Sequence, residues 1–235
     1  QDHPLEVYRY LRDDLGLRHI QFIPIVERAG DADPREGAAV TDRSVDPEAW
    51  GTFLTAVFDE WVVRDVGEVF VQTFDAALVS WLGLPSPMCV FRETCGDAMA
   101  LLHDGDLYSC DHFVEPAHLL GNITPTTMAE LAASPQQRAF GRAKAETLPA
   151  YCQVCEVRFV CNGECPRNRF TLTPDGDPGL NYLCAGYRRL FNHIDGSMQL
   201  MAGLLRRGRP AAEVMELFAG AGRNERCPCD SGRKA

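Results

Sequence analysis

The sequence predicts an α/β fold that changes character near residue 86: the closing part of a parallel-stranded barrel, then a cysteine-rich domain organised around metal. Helix and strand patterns alternate through residues 1–85, as they do in the βα units of parallel sheets. Eight of the ten cysteines then fall between Cys89 and Cys184. The chain of 235 residues is 46% hydrophobic, enough for a sizeable core and against wholesale disorder.

Residues 4–16 put Leu5, Tyr8, Leu11 and Leu15 on one helical face, and Gly16 ends the run. The apolar stretch Ile20–Val26 reads as a buried strand, and the polar, Gly-, Asp- and Arg-rich residues 27–45 as a loop. Asp46-Pro47 is a helix start, a capping residue followed by proline at the first helical position. Trp50, Phe53, Leu54, Val57, Phe58, Trp61 and Val62 then keep the helical period. Glu68–Phe74 reads as a second strand, followed by a short helix ending near Gly83. Two strands cannot make a complete α/β domain, so this part is expected to be the tail of a barrel whose earlier strands lie elsewhere.

From Cys89 onward the pattern is different. Ala100–Cys110 reads as a β-hairpin turning at Asp104-Gly105. Thr127-Met-Ala-Glu130 is a capping box that opens a helix. A cysteine-dense loop covers 151–165, and a long helix over about 181–205 carries Tyr187, Leu190, Phe191, Ile194 and Met201 on one side. Residues 206–226 read as a basic linker around a short helix from Pro210 to Phe218.

The formal net charge of −10 argues against a nucleic-acid partner, because phosphate binding needs a basic surface. No apolar run is long enough to span a bilayer. The chain lacks an initiator methionine, opens directly into a helical pattern and stops abruptly after Cys227-Pro-Cys229-Asp-Ser-Gly-Arg-Lys-Ala235. It is therefore expected to be a piece of a longer protein.

The cysteines carry the chemistry. Cys152-x2-Cys155-x5-Cys161-x3-Cys165 lies within fourteen residues, Cys89-x5-Cys95-x14-Cys110 lies upstream, and Cys184 lies on the long helix. A C-x2-C pair lets two thiolates reach one metal or cluster edge from a tight loop, with backbone N–H groups near the sulfurs. Eight ligands suit two four-cysteine centres. Two structural zinc sites would use the same residues, and a disulfide framework is a third reading. Zinc ribbons pair one C-x2-C with another, which these eight lack, and a chain with a real core has little need of disulfide staples. A compact run whose last cysteine serves a different cluster is a ferredoxin habit, so iron–sulfur is the favoured reading.

Here the sequence resembles a known family. The run Cys152–Cys165 with the later Cys184 resembles the SPASM domain, the auxiliary-cluster domain of radical S-adenosylmethionine (SAM) enzymes. His19–Arg28 resembles the sixth barrel strand of the anaerobic sulfatase-maturating enzymes, Leu107–Val114 their cluster-plus-aspartate segment, and Gly121-Asn-Ile123 the turn after it. The resemblance covers roughly residues 1–205. It implies the C-terminal part of a partial (β/α)6 TIM-type barrel over 1–85, a SPASM domain over 86–205, and a linker with a truncated SEC-C-like zinc motif (Cys227, Cys229) over 206–235. It further implies one [4Fe–4S] cluster on Cys89, Cys95, Cys110 and Cys165, and another on Cys152, Cys155, Cys161 and Cys184. The family's C-x3-C-x2-C motif, which holds the SAM-cleaving cluster, is absent from this sequence. A third [4Fe–4S] cluster and SAM are thus expected in the full-length parent, and this piece alone is expected to be inactive.

Members of that family convert a Cys or Ser in a C/S-x-P/A-x-R motif of a sulfatase polypeptide into formylglycine. A 5′-deoxyadenosyl radical takes a Cβ hydrogen, a base takes the thiol or hydroxyl proton, and an electron leaves through the auxiliary clusters to an external acceptor such as ferredoxin or flavodoxin. The resemblance makes Asp111 the base and places Val26 near SAM. A neighbouring anionic cluster would strengthen a carboxylate as a base; the plainer alternative is that Asp111 caps its turn. Gln21 and Glu27 lie at strand ends, where barrel active sites sit, and core or loop roles suit them equally. His103, His112 and His118 read as surface or hairpin residues, and Tyr108 and Tyr182 as packing around clusters. A cytoplasmic setting is implied. The competing functions are a zinc-stabilised binding module and a SPASM enzyme acting on a ribosomal peptide.

Overall fold

A computed structural model of the chain describes residues 2–30 and 40–220; the Cys227/Cys229 motif lies outside them. The fold is mixed α/β. Helix α1 (Pro4–Arg9) runs into a π-helical turn at Tyr10–Asp14, and strand β1 is His19–Ile20. Helix α2 (Pro47–Arg64) leads to strand β2 (Phe70–Val71) and helix α3 (Gln72–Trp81). Strands β1 and β2 pair in parallel, His19 opposite Phe70 and Ile20 opposite Val71, with α2 as the crossover. Asp46 caps α2 as its sequence predicts, its carboxylate accepting from the Ala49 N–H at 2.8 Å.

Both strands are shorter than expected. Beyond Ile20 the described chain offers no further parallel partner. Ile25 O instead accepts from Val45 N, and Arg28 bridges Val40 within the stretch expected to be loop. Ile23 is accordingly 72% exposed, where a buried strand was expected. In β2 the alternation of buried Val69, exposed Phe70 and buried Val71 stops at Thr73 and Phe74, which are both buried. Adjacent buried residues suit a helix, not a strand, and α3 starts at Gln72.

The second half opens with the hairpin of strands β3 (Ala100–Leu101) and β4 (Asp106–Tyr108), to which strand β5 (Leu119–Asn122) adds antiparallel. Gly105 takes the positive φ of +92° that the predicted turn needs. Thr127 and Glu130 form both halves of the capping box of helix α4 (Met128–Ala132). The chain breaks at Ser134-Pro135 and restarts as helix α5 (Pro135–Glu146). The cysteine-dense stretch folds as two single turns, α6 (Ala150–Gln153) and α7 (Arg158–Cys161), followed by the small hairpin of β6 (Thr171–Leu172) and β7 (Pro178–Leu180). The long helix α8 (Cys184–Arg206) begins on a cysteine. A 3-10 turn (Ala211–Glu213) and helix α9 (Val214–Gly220) fall where a short helix was expected within the linker, and fully buried Val214 packs this helix on the core.

The largest interhelical contact joins α2 to α8. Trp50, Phe53, Leu54, Phe58 and Trp61 of α2 share one core with Tyr187, Leu190, Phe191, Ile194 and Met201 of α8, and with Val157 and Val160 beside the cysteines. The core thus runs without a break across residue 85. At its narrowest point Gly51 and Gly186 meet backbone to backbone: a Cβ on Gly186 would stand 2.3 Å from Pro47 O. This approach seats the first turn of α8, and Cys184 with it.

Candidate metal centres

The eight cysteines between 89 and 184 are all unbridged thiols, and they separate into two groups of four. Cys89, Cys95, Cys110 and Cys165 line one small cavity, together with Asp111 and His112. Cys152, Cys155, Cys161 and Cys184 line a second. Each group draws on distant segments. The first combines a 3-10 turn at Cys89–Phe91, the loop before β3, the end of β4 and the residue after α7's loop; the second combines α6, α7 and the start of α8.

Helix α5 ties the first group together. Its Gln137 side chain donates to Gly96 O at 2.9 Å and Ser109 O at 3.0 Å. Gly141 lies against Cys95, whose N–H donates to Gly141 O at 3.1 Å, and a Cβ there would stand 2.7 Å from Cys95 O. Lys144 donates to Cys89 O and Val90 O, both at 2.9 Å. Asn162 links the groups by donating to Phe91 O at 2.8 Å.

The local backbone aims N–H groups at sulfur. Cys110 accepts from the N–H of His112 at 3.5 Å. The N–H groups of Val157, Gly163 and Arg167 play the same part for Cys155, Cys161 and Cys165. Each donor lies two residues after its cysteine, with two such pairs in each group. The loop between Cys161 and Cys165 achieves this with three successive positive φ angles, at Asn162, Gly163 and Glu164. Donors aimed at sulfur stabilise thiolates and tune the metal they hold.

Burial opposes thiolate formation. It pushes the Cys110, Cys161 and Cys165 thiols up to about 12 and Cys184 to about 11, and it raises Cys95, Cys152 and Cys155 as well. Such thiols are poor nucleophiles and need a cationic partner to ionise. Among the described residues no three His, Cys, Asp or Glu side chains converge tightly enough for a single ion. A tetrahedral zinc site would need four sulfurs about 2.3 Å from one point. Two all-cysteine sets of four donors, with backbone N–H groups aimed at sulfur, fit a polynuclear iron–sulfur group.

The other sequence candidates distribute as follows. Asp111 is exposed at the mouth of the first cavity, its Oδ1 3.2 Å from Cys110 Sγ. His112 is exposed, as expected, and also borders that cavity with Nδ1 3.3 Å from Cys165 Sγ. Val26 and Glu27 border a cleft with Arg28, Arg167 and Phe170, and Glu27 also accepts from Thr41 Oγ1. Gln21 and His103 are exposed. His118 packs against Phe113 and Phe140. Tyr108 is half-buried in β4, and Tyr182 stacks on Phe170 and donates to Val45 O at 3.1 Å. Sequence reading missed Gln137, Lys144, Glu164 and Arg169, which are all buried or half-buried around the two groups. A lysine or glutamine in a polar helix carries no sequence sign that it faces inward.

Comparison with known proteins agrees with this chemistry. Residues 89–156 match the SPASM family, an iron-sulfur cluster-binding domain. The chain is 44% identical over 225 residues to a serine-type anaerobic sulfatase-maturating enzyme of Bacteroides thetaiotaomicron, covering 92% of this chain and 54% of that protein. It is 34% identical over 182 residues to the enzyme of the same name from Klebsiella pneumoniae, covering 77% and 42%. The chain thus spans about half the length of the curated relatives it matches. Among solved structures it is similar to hexahistidine-tagged anSMEcpe with bound AdoMet, at 26% identity and a TM-score of 0.70 over 92% of this chain and 54% of that one. It is also similar to native anSMEcpe with bound AdoMet and the Kp18Cys peptide, at 26% identity and a TM-score of 0.69 over 86% and 55%. In sequence and in fold alike, the chain groups with the anaerobic sulfatase-maturating enzymes.

Proposed function

We propose that this chain is the auxiliary-cluster half of a radical SAM sulfatase maturase. Cys89, Cys95, Cys110 and Cys165 hold one [4Fe–4S] cluster, and Cys152, Cys155, Cys161 and Cys184 hold the other. The observation that carries the reading is the sorting of eight cysteines into two fours around separate cavities, each with backbone N–H groups aimed at sulfur. When bound, the clusters supply one-electron acceptors, and SAM with a third [4Fe–4S] cluster in the complete protein supplies hydrogen abstraction. In that frame residues 1–85 close a partial barrel, 86–205 form the SPASM domain and 206–235 follow as a tail.

The substrate is a sulfatase polypeptide carrying C/S-x-P/A-x-R, and the product is formylglycine. The names of the curated relatives favour serine as the residue oxidised. Asp111 stands at the open mouth of the first cavity, where it meets both solvent and a ligand cysteine. There it takes the hydroxyl or thiol proton from the substrate while its neighbour Cys110 belongs to the electron acceptor. Val26, on the cleft wall shared with Arg28 and Phe170, faces SAM. The electron passes onward to a carrier such as ferredoxin or flavodoxin. Reduced thiols and oxygen-sensitive clusters suit the cytoplasm. No helix of the described residues is long and apolar enough to cross a membrane.

The test is Asp111→Asn in a protein of the relatives' full length, purified anaerobically. Asparagine keeps the size and removes the base. Cluster content and SAM cleavage should persist, while formylglycine formation on a serine-containing peptide should fall by about 10²–10⁴-fold. Normal peptide oxidation by a fully loaded Asp111→Asn enzyme removes Asp111 from the mechanism. A colourless wild-type protein loaded stoichiometrically with zinc after iron-replete anaerobic growth overturns the cluster reading.

A further inference from the structure

Two cations, a buried lysine and a half-buried arginine, lie side by side where the cysteine groups adjoin. Lys144 is 1% exposed, and its ammonium donates to Cys89 O and Val90 O. The Arg169 guanidinium donates to four backbone carbonyls, those of Gly163 at 2.9 Å, Asn162 at 2.9 Å, Glu164 at 3.3 Å and Lys144 at 2.6 Å. Every hydrogen bond of either cation among the described residues is to a carbonyl and none is to a carboxylate. The one buried carboxylate nearby, Glu164, is engaged by the side-chain amides of Asn181 and Asn168.

Holding two like charges together in a largely buried place with one carboxylate, Glu164, to offset them is unfavourable. The groups that face them indicate where the compensation comes from. Lys144 donates to two carbonyls beside Cys89, and the anionic groups that face it are Cys95 and Cys165, both of the first group, and Glu164. Arg169 is held by the carbonyls of the loop between Cys161 and Cys165, and the anionic groups that face it are Cys152 and Cys161 from the second group, Cys95 from the first, and Glu164. Its place is built into the backbone. Gly163 sits at φ +71°, and a Cβ there would stand 2.7 Å from Arg169 Nη2 and 2.3 Å from Leu148 Cδ2. The cysteine-dense loop therefore uses a glycine where the guanidinium passes.

We propose that Arg169 is the counter-charge shared by both clusters, and that Lys144 serves the Cys89/Cys95/Cys110/Cys165 cluster alone. The proposal rests on the two-cluster reading above. An electron added to either cluster deepens its negative charge, and a fixed cation beside it favours the reduced form. Arg169 thus raises both reduction potentials and shields each cluster from charge on the other, which keeps the pair close enough in potential to pass an electron between them.

Three variants of the anaerobically purified, cluster-loaded protein test this: Arg169→Gln, Arg169→Lys and Lys144→Gln. Each is titrated with dithionite against a reference electrode and followed by electron paramagnetic resonance. The clusters are told apart in Cys155→Ala and Cys165→Ala backgrounds, each of which leaves one intact. Arg169→Gln should raise the oxidised-to-reduced ratio of both clusters at least tenfold at the wild-type midpoint, a fall of about 59 mV for a one-electron couple. Arg169→Lys should restore most of that shift, and Lys144→Gln should lower only the first cluster. Loading by Arg169→Lys but not by Arg169→Gln also supports the counter-charge, since charge then decides assembly. Unchanged potentials in a fully loaded Arg169→Gln protein, or a shift confined to one cluster, overturn the proposal. So does failure of both Arg169 variants to assemble clusters, which assigns the side chain to holding the loop. Wild-type protein without iron and sulfide is a different failure, that of the cluster reading itself.

Discussion

Gly186→Ala isolates the contact that holds the core and the second cysteine group in one frame. On helix propensity alone, alanine in an α-helix interior is favoured over glycine by about 1 kcal/mol. The structure predicts the opposite sign. The new Cβ would stand 2.3 Å from Pro47 O and 3.0 Å from Gly51 N, well inside the ~3.3 Å at which carbon rests against a carbonyl oxygen. Both obstacles are backbone of the facing helix, so no side chain can swing aside. The helices must separate by about 1 Å along a contact that buries Trp50, Phe53, Tyr187 and Leu190. Overpacking of this kind costs roughly 1–3 kcal/mol, and the rigid backbone puts this case at the upper end. For a chain of this size each kcal/mol moves the melting temperature by about 2–4 °C, so a fall of roughly 4–8 °C is expected after the propensity gain is subtracted. Gly186 lies two residues after Cys184, so iron bound by the second group should fall more than iron bound by the first. Anaerobic thermal melts followed by circular dichroism, with iron counted per chain, provide the assay. An unchanged or raised melting temperature would refute the reasoning, because it would mean the helices yield at no cost.

Other consequences are equally open to measurement. Cys155→Ala and Cys165→Ala should each remove about half of the iron but extinguish different electron paramagnetic resonance signals; loss of the same signal in both would contradict the assignment of Cys165. Asp65 accepts from Tyr8 at 2.8 Å and Arg12 at 2.7 Å between α1 and α2, so Asp65→Ala should cost about 3 kcal/mol by leaving Arg12 short of a buried partner, read as a lower denaturation midpoint. Hydrogen bonds from Arg9, and then Arg12, hold the Glu60 carboxyl below its ordinary value of 4.5. Its contribution should be present above about pH 4.5 and be lost as pH falls through the lower folded value; in Glu60→Gln that acid-side slope should flatten, and an unaltered slope would exclude Glu60 as its source. Removing iron with a chelator should lower thermal stability chiefly in the region spanning residues 89 to 184, since the clusters no longer tie its segments together or offset the charge of Lys144 and Arg169; hydrogen exchange by mass spectrometry would show protection lost there first, and uniform loss would argue against the clusters as local staples.

Local chemistry was legible in the sequence wherever one short segment decides the outcome. Asp46-Pro47 caps α2, Thr127 and Glu130 close their box, Gly105 turns its hairpin, and the apolar stripe of α8 is buried as its period requires. The identity of the eight cysteines as one constellation was likewise evident from composition and spacing. Strand length was less legible, because a strand ends where its partner ends: the Ile20–Val26 segment has strand-like residues throughout but pairs only over His19–Ile20.

What the tertiary structure decided is which distant residues meet. Spacing alone could not say that Cys165 leaves its neighbours at 152–161 to join Cys89, Cys95 and Cys110 around another cavity; the family resemblance supplied that partition, and the folded chain brings the four together. The burial of Lys144 and Arg169 has no trace in local sequence, since a lysine on a polar helix reads as a solvated face. Hydrogen bonds to the carbonyls of Cys89, Val90, Asn162, Gly163 and Glu164 create their sites, and those carbonyls converge only after the loops have packed. Periodicity and capping act over a few residues and are written in order along the chain. The charge environment of a buried site is a sum over space, so it is fixed only when the fold has chosen its neighbours.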